Sequence, residues 1–196
     1  MTAQSDIQPT TPPVNERLID GDLFAKGMAA LRIFFGVILL MNGLAKVDSS
    51  LGRVDIGWYH ANLITQNGAR GILNFEVNDR QIRKDAPKGT QVPGVSWVTN
   101  KVILEHWDIF KWLVTLTELI VGTLLIVGLT TRLAALVGLS FQLFLAAVYF
   151  SSNRWMFEQP HEYVPLIILA VIPAGRMWGL DRAIIRRKPS LLRWPF

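Results

Sequence analysis

The stretch Trp112–Leu129, WLVTLTELIVGTLLIVGL, decides the fold, because it is an apolar run with one carboxylate, Glu118, near its middle. With Ile109 and Phe110 before it, the run reaches the roughly 20 apolar residues that a helix needs to cross about 30 Å of hydrocarbon. A charge at that depth costs about 2.5–3.5 kcal/mol, so such a residue usually faces other helices or water. The run therefore predicts a membrane helix with Glu118 at the polar centre of a bundle.

Composition indicates the same class of protein. The chain has 196 residues, of which 51% are hydrophobic and 18% charged, and its mean hydropathy is +0.31. The net charge of +5 does not indicate nucleic-acid binding, because basic residues crowd a tail just after an apolar segment. Such a cluster predicts a topology signal and contact with anionic lipids; it comprises Arg182, Arg186, Arg187, Lys188 and Arg193. The absence of cysteine excludes disulfides and thiol redox chemistry.

Three more apolar segments predict an all-α membrane protein, an antiparallel bundle of four transmembrane helices. The predicted spans within a membrane domain of residues 26–182 are 28–47, 109–129, 132–150 and 163–178. Residues 1–25 predict a disordered or interfacial head without a cleavable signal, and residues 183–196 predict a basic tail. The loop 48–105 is too polar to span, and we expect one or two amphipathic helices on the membrane face there.

The distribution of positive charge predicts the orientation. Four spans place both termini on one side, and the basic tail assigns that side to the cytoplasm. The long loop and all three histidines then lie on the outer side.

Polar side chains at matching depths predict a pocket open to the outer side, able to hydrogen-bond a quinone head or to pass a proton. Lys111, Thr115 and Glu118 share a helical stripe. The candidate residues for this polar core are Glu118, Gln142, Asn42, Lys46, Lys111, Thr115 and His161. The alternative is a satisfied network that only fixes helix packing, and the sequence leaves both open.

At the inner ends of the first and fourth spans, Arg32 and Asp181 lie at similar depth and predict a structural ion pair. For Arg32 and Lys46, snorkelling to the nearer interface is the alternative. We expect no metal site, because no two of the outer histidines share ligand spacing on a helix and no established metal motif is present. The carboxylates near these histidines are Glu105, Asp108, Glu158 and Glu162. No motif identifies a catalytic residue.

Three segments, in order, resemble the DoxX/DoxD family of small bacterial membrane proteins. They are LRIFFGVILLMNGLAKV, with arginine, two glycines and lysine at the family's spacing, ELIVGTLLIVGLTTRLAAL, and the closing GRMWGLDR. The first loop is longer than in the simplest members and looks more like the DoxD-type branch, the small subunit of a thiosulfate:quinone oxidoreductase. The resemblance implies a multi-pass protein of the bacterial plasma membrane.

Three functions follow from this reading. The first is a membrane subunit of a quinone-linked oxidoreductase, with a quinone or small-substrate pocket and no covalently bound cofactor. The second is a non-catalytic assembly or scaffold subunit, and the third is a conduit for a small molecule or lipid. Expected partners are membrane lipids and either other protein subunits or further copies of this chain. Without cysteine or a cofactor motif, the chain is not expected to transfer electrons alone.

Overall fold

The computed structural model describes residues 20–152, 160–191 and 194–195, and over these residues the protein is mostly helical. The predicted head is therefore described only from residue 20, and Glu158 and Arg193 lie outside the described residues. The α-helices are α1 Gly21–Val47, α2 Gln66–Asn74, α3 Arg80–Ile82, α4 Pro93–Val98, α5 Trp107–Val127, α6 Thr131–Tyr149, α7 Pro160–Val171 and α8 Leu180–Arg187. π-helical turns at Phe75–Asp79 and Thr99–Leu104 extend α2 and α4, and 3-10 turns cover Ser49–Gly52, Phe150–Ser152, Ala174–Arg176 and Pro189–Leu191.

Three helices are long and apolar enough to cross a membrane: Gly21–Val47, Trp107–Val127 and Thr131–Ser152. The protein is accordingly a membrane protein. α1 begins seven residues before the predicted span, because Asp20 caps it by accepting hydrogen bonds from the amides of Asp22 and Leu23 at 2.9 and 3.4 Å. We call the end of the bundle that carries residues 48–105 the upper end, and the opposite end the lower end.

The fourth predicted span, 163–178, contains a short helix followed by turns. Helix α7 has 12 residues, or about 18 Å, against the roughly 30 Å of a bilayer core. It stops at Val171 because Pro173 has no amide to donate and clashes with the preceding turn. The chain then forms a 3-10 turn at Ala174–Arg176. Within the described residues, three helices have the length of a membrane span and α7 is a shorter apolar helix, so the count of four spans stays a prediction.

Close backbone contact between α1 and α5 sets the register of the bundle. A Cβ added at Gly122 would lie 2.6 Å from the amide nitrogen of Leu40, and one added at Gly36 would lie 2.9 Å from the carbonyl oxygen of Gly122. Small residues permit this approach between membrane helices. A buried apolar cluster joins the two helices to α6 and α7 and includes Leu39, Val121, Leu125, Leu166 and Leu169.

At the lower end, the predicted pair of Arg32 and Asp181 is replaced by contacts with the backbone. Both side chains are buried, but within the described residues no ion pair of 4.0 Å or less joins them. The Arg32 guanidinium donates to the carbonyl oxygens of Leu125 at 2.7 Å and Ile126 at 3.2 Å, in the last turn of α5. It also donates to the carbonyl oxygen of Trp178 at 3.1 Å.

The Asp181 carboxylate accepts from the amides of Thr130 at 2.7 Å and Thr131 at 3.2 Å, where α6 begins. A cation at the end of one helix and an anion at the start of the next each complement the local helix dipole. Arg32 contacts the end of α5 and Asp181 contacts the start of α6, so both side chains hold the α5–α6 turn.

At the upper end, residues 48–105 form a layer that is not purely helical. Strands β1 Arg53–Ile56 and β2 Tyr59–Asn62 pair antiparallel, with Asp55 opposite His60. Gly57 turns the hairpin at φ +61, a conformation that glycine adopts without strain. The all-α prediction missed this hairpin. The prediction that this layer contains amphipathic helices lying on the membrane face stays a prediction.

Substitution of Gly128 tests the lower junction. Gly128 ends α5 at φ +67, and an added Cβ would overlap the Arg32 guanidinium. We expect Gly128→Ala to lower the melting temperature in detergent, because overpacking alone costs about 1–3 kcal/mol. Gly71→Ala is the control, since no atom lies within 4 Å of a Cβ at that helical position. Equal melting temperatures for the two variants would contradict the close packing of Gly128 against Arg32.

Candidate functional site

A cavity of about 440 Å³ lies between the upper halves of α5 and α6 and the helices of the upper layer. Most of its wall is aliphatic or aromatic. The residues that line it include Ile72, Val102, Trp107, Phe110, Leu113, Val114, Phe141, Phe144 and Leu145, with Lys46, Thr117, Glu118, Ser140 and Tyr149 as the polar members. A mostly apolar pocket with few convergent polar groups is typical of small-molecule sites.

The cavity exists because α5 and α6 separate toward the upper end. In their lower halves the helices touch, and a Cβ added at Gly138 would lie 3.3 Å from Cγ1 of Val121. Above that point the upper layer enters the wedge. Leu73 from α2 and Ile103 from the second π turn are buried there with Trp107. This packing leaves the cavity as the unfilled part of the wedge.

Lys46 and Glu118 form a buried ion pair at the wall of the cavity. The Lys46 Nζ lies 2.7 Å from Oε2 and donates a hydrogen bond of 3.0 Å to Oε1 of Glu118. The two side chains are only 3% and 9% exposed. Each charge would be costly there alone, and burial is tolerated because the partner compensates it.

The register of α1 against α5 explains how Lys46 reaches Glu118. Lys46 is one residue before the end of α1, yet its side chain runs toward the bundle interior rather than up to the interface. Its Nζ also lies 3.5 Å from the carbonyl oxygen of Asn42, one turn earlier. For Lys46, the snorkelling alternative is therefore excluded.

Asn42 and Thr115 lie outside the cavity wall and hydrogen-bond α1 and α5 to the upper layer. The Asn42 side chain accepts from the Ile64 amide at 3.0 Å. Thr115 is fully buried. It donates to the carbonyl oxygen of Lys111 at 2.6 Å and accepts from the side-chain amide of Gln66 at 3.4 Å.

The other candidates lie elsewhere. Lys111 pairs with Asp108 at 2.7 Å, in a contact whose aspartate is 92% exposed. Gln142 is half-buried on α6 and does not line the cavity, although its neighbour Phe141 does. His161 is exposed at the start of α7 and is also absent from the wall. Of the seven candidate residues, Lys46 and Glu118 thus line the cavity. Asn42 and Thr115 hydrogen-bond the same two helices to the upper layer.

The upper layer contains a second buried polar cluster, which the sequence pattern did not predict. The Arg80 guanidinium donates to both carboxylate oxygens of Glu76, at 2.7 and 2.8 Å, and the hydroxyl of Ser151 donates to Glu76 at 2.9 Å. The cluster fastens the upper layer to the end of α6. Its only sequence signal is the four-residue spacing of Glu76 and Arg80, which is common on exposed helix faces.

The chemistry of the cavity favours a neutral ligand with an apolar body. The ion pair has no net charge, and within the described wall no other ionisable residue except Tyr149 is present. The hydroxyls of Thr117 and Ser140 donate to carbonyl oxygens of their own helices, at 2.8 and 2.9 Å, and keep lone pairs to accept. Among the described residues, no group of three or more His, Cys, Asp or Glu side chains is placed to hold a metal.

Comparison with known proteins gives one family. The DoxX family model matches residues 86–152, the part of the chain that supplies α4, α5 and α6 to the cavity. The match confirms the resemblance to the DoxX family that the sequence suggested. No curated protein and no solved structure matches the chain.

A double-mutant cycle tests the buried pair. Glu118→Leu or Lys46→Met alone leaves a buried charge without its partner, at a cost of about 3–5 kcal/mol. The double variant replaces both charges with apolar groups, so we expect it to melt well above either single variant. Lys111→Met is the control, because an exposed pair contributes about 0–1 kcal/mol. Additive losses would show that Lys46 and Glu118 do not interact.

Proposed function

Since residues 86–152 match the DoxX family model, we propose that this membrane protein binds a quinone as the membrane subunit of a quinone-linked oxidoreductase. The observation that carries the proposal is the apolar cavity with the Lys46–Glu118 pair in its wall. A quinone ring and its substituents match the aliphatic and aromatic wall, and its carbonyl oxygens need a donor. The Lys46 ammonium has three protons to donate.

The paired charges also suit the reduced ligand. A quinol presents hydroxyl groups, which donate, and the Glu118 carboxylate has lone pairs left to accept them. Both redox forms are neutral, so neither disturbs the charge balance of the pair. Electrons must come from a partner subunit, because the sequence contains no cysteine and no cofactor motif.

An inorganic oxyanion is a poor occupant of the same cavity. Thiosulfate, the electron donor used by the enzyme of the DoxD-type branch, carries two negative charges. Removing such an ion from water into an apolar wall requires compensating cations, and here the ammonium is already neutralised by Glu118 at 2.7 Å. We therefore assign oxidation of any anionic substrate to the partner subunit.

A scaffold function is the second candidate, because the upper layer exposes aromatic residues. Trp58 at the hairpin turn is 91% exposed, and Tyr59 and Trp97 are 56% and 62% exposed. Exposed tryptophan and tyrosine are frequent anchors in protein interfaces and at membrane surfaces. Under this alternative the protein would hold a complex together without binding quinone.

Quinone binding distinguishes the two candidates. Ile72→Trp fills the cavity, so we expect it to weaken quinone binding by at least about tenfold, or 1.4 kcal/mol. Ile82→Trp is the matched control, since Ile82 is 81% exposed and lies outside the wall. The measurement is the melting temperature of purified protein titrated with quinone, and with thiosulfate as the anionic comparison. Stabilisation by thiosulfate alone would contradict the proposal.

We propose that the chain crosses the membrane four times and that both termini are cytoplasmic. Helix α7 and the turns that follow it make the fourth crossing. The support is that α7 lies along α6 down to its lower end, where the Arg132 side chain donates to the carbonyl oxygen of Ala170 at 3.0 Å. The exposed basic residues of α8 then face the cytoplasm.

Single cysteines test this orientation without background, because the chain contains none. In intact cells, Asp85→Cys in the upper layer should react with a membrane-impermeant maleimide, whereas Ala183→Cys in α8 should react only after permeabilisation. Both positions are exposed, so differences in burial do not confound the comparison. The reverse labelling pattern would show that the protein has the opposite orientation in the membrane.

A further inference from the structure

We infer that the cavity has a lateral portal to the bilayer between α5 and α6, through which a long-tailed neutral amphiphile enters from the membrane. The identity of the ligand rests on the proposed function. To that function the inference adds the route by which the ligand enters, and it places the tail of the bound ligand in the portal.

The exposure of the wall residues locates the portal. On α5 the wall runs from Leu113, which is 55% exposed, to Glu118, which is buried. On α6 it runs from the exposed Ser140 to the half-buried Leu145. The exposed members of both helices thus lie on one flank of the wedge, and the ion pair lies on the other. Leu113 and Ser140 define the rim of the portal.

The depth of the rim places it in hydrocarbon. Leu113 lies six residues below the upper end of α5 at Trp107, a rise of about 9 Å. Ser140 lies nine residues below the upper end of α6 at Tyr149, a rise of about 13 Å. A ligand that crosses this rim has left the aqueous phase. An apolar tail can remain in the bilayer while the head reaches Lys46.

The upper layer covers the wedge on the aqueous side, and of the wall residues that it supplies only Ile64, at 40%, is exposed. Leu73, Ile103 and Trp107 pack together above the wedge, with 7%, 9% and 7% of their surfaces exposed. The Glu76–Arg80 pair and Ser151 fasten this layer to α6. Opening from above would break these contacts, whereas the flank between Leu113 and Ser140 is already exposed.

The rim also selects the chemistry of the occupant. The Ser140 hydroxyl is bonded to its own helix at Leu136, and no charged residue belongs to the α5 or α6 wall apart from Glu118. A phospholipid would bring a phosphate to a site whose cation is already paired. A neutral head on an apolar tail, as in an isoprenoid quinone, meets no uncompensated charge.

A reversible plug at the rim tests the portal. Ser140→Cys is purified into nanodiscs, and its single thiol is modified with a bulky methanethiosulfonate reagent. Binding is measured by melting temperature for a benzoquinone with an isoprenoid tail and for the same head without a tail. The reagent is then removed with reductant, the reductant is desalted away, and binding is measured again. Leu143→Cys, an exposed α6 position outside the wall, is the matched control.

We expect modification of Ser140→Cys to weaken binding of the tailed quinone by at least about tenfold, and reduction to restore it. The tail-less quinone and the Leu143→Cys protein should change much less. Unchanged binding of the tailed quinone after modification would overturn the portal and leave the proposed function standing. Failure of the unmodified protein to bind either quinone would overturn the proposed function, and the inference would fall with it.

Discussion

The Lys46–Glu118 ion pair is the constraint on which the upper half of the bundle depends. Neither charge is tolerable alone in a site with less than a tenth of each side chain exposed, so α1 and α5 must present them to each other. The close approach at Gly36 and Gly122 fixes the register that does this. Asn42 and Thr115 then tie the two helices to the upper layer. The pair thus links helix packing to the wall of the cavity.

The two ends of the bundle handle charge in different ways, and this difference accounts for where a ligand site can form. At the lower end, Arg32 and Asp181 contact the end of α5 and the start of α6. The tight turn they hold keeps these helices in contact. At the upper end the same helices are apart, and the upper layer fills the gap incompletely. The closed end positions the helices, and the open end provides space beside a neutral polar group.

The sequence predicts the parts that follow from helical spacing and misses those that follow from long-range packing. Glu118 and Lys46 were identifiable because charge and glycine recur on one stripe of each helix. The depth of Gln142 was readable, but not which side of α6 would face the cavity. The early end of α7 had a local cause, Pro173, although the apolar run continues to Trp178. The cavity itself depends on where α2 and the π turns meet α5 and α6, which no local pattern specifies.

The most direct test of the central claim is infrared difference spectroscopy of Glu118 in the lipid-embedded protein. Subtracting the spectrum of Glu118→Gln from that of the unmodified protein should reveal an ionised carboxylate, as an ion pair with Lys46 requires. Adding quinone should shift that band, and adding thiosulfate should not. A protonated carboxyl band in place of the carboxylate, unmoved by quinone, would show that Glu118 is not ion-paired with Lys46 and that the cavity lacks the polar group on which its function depends.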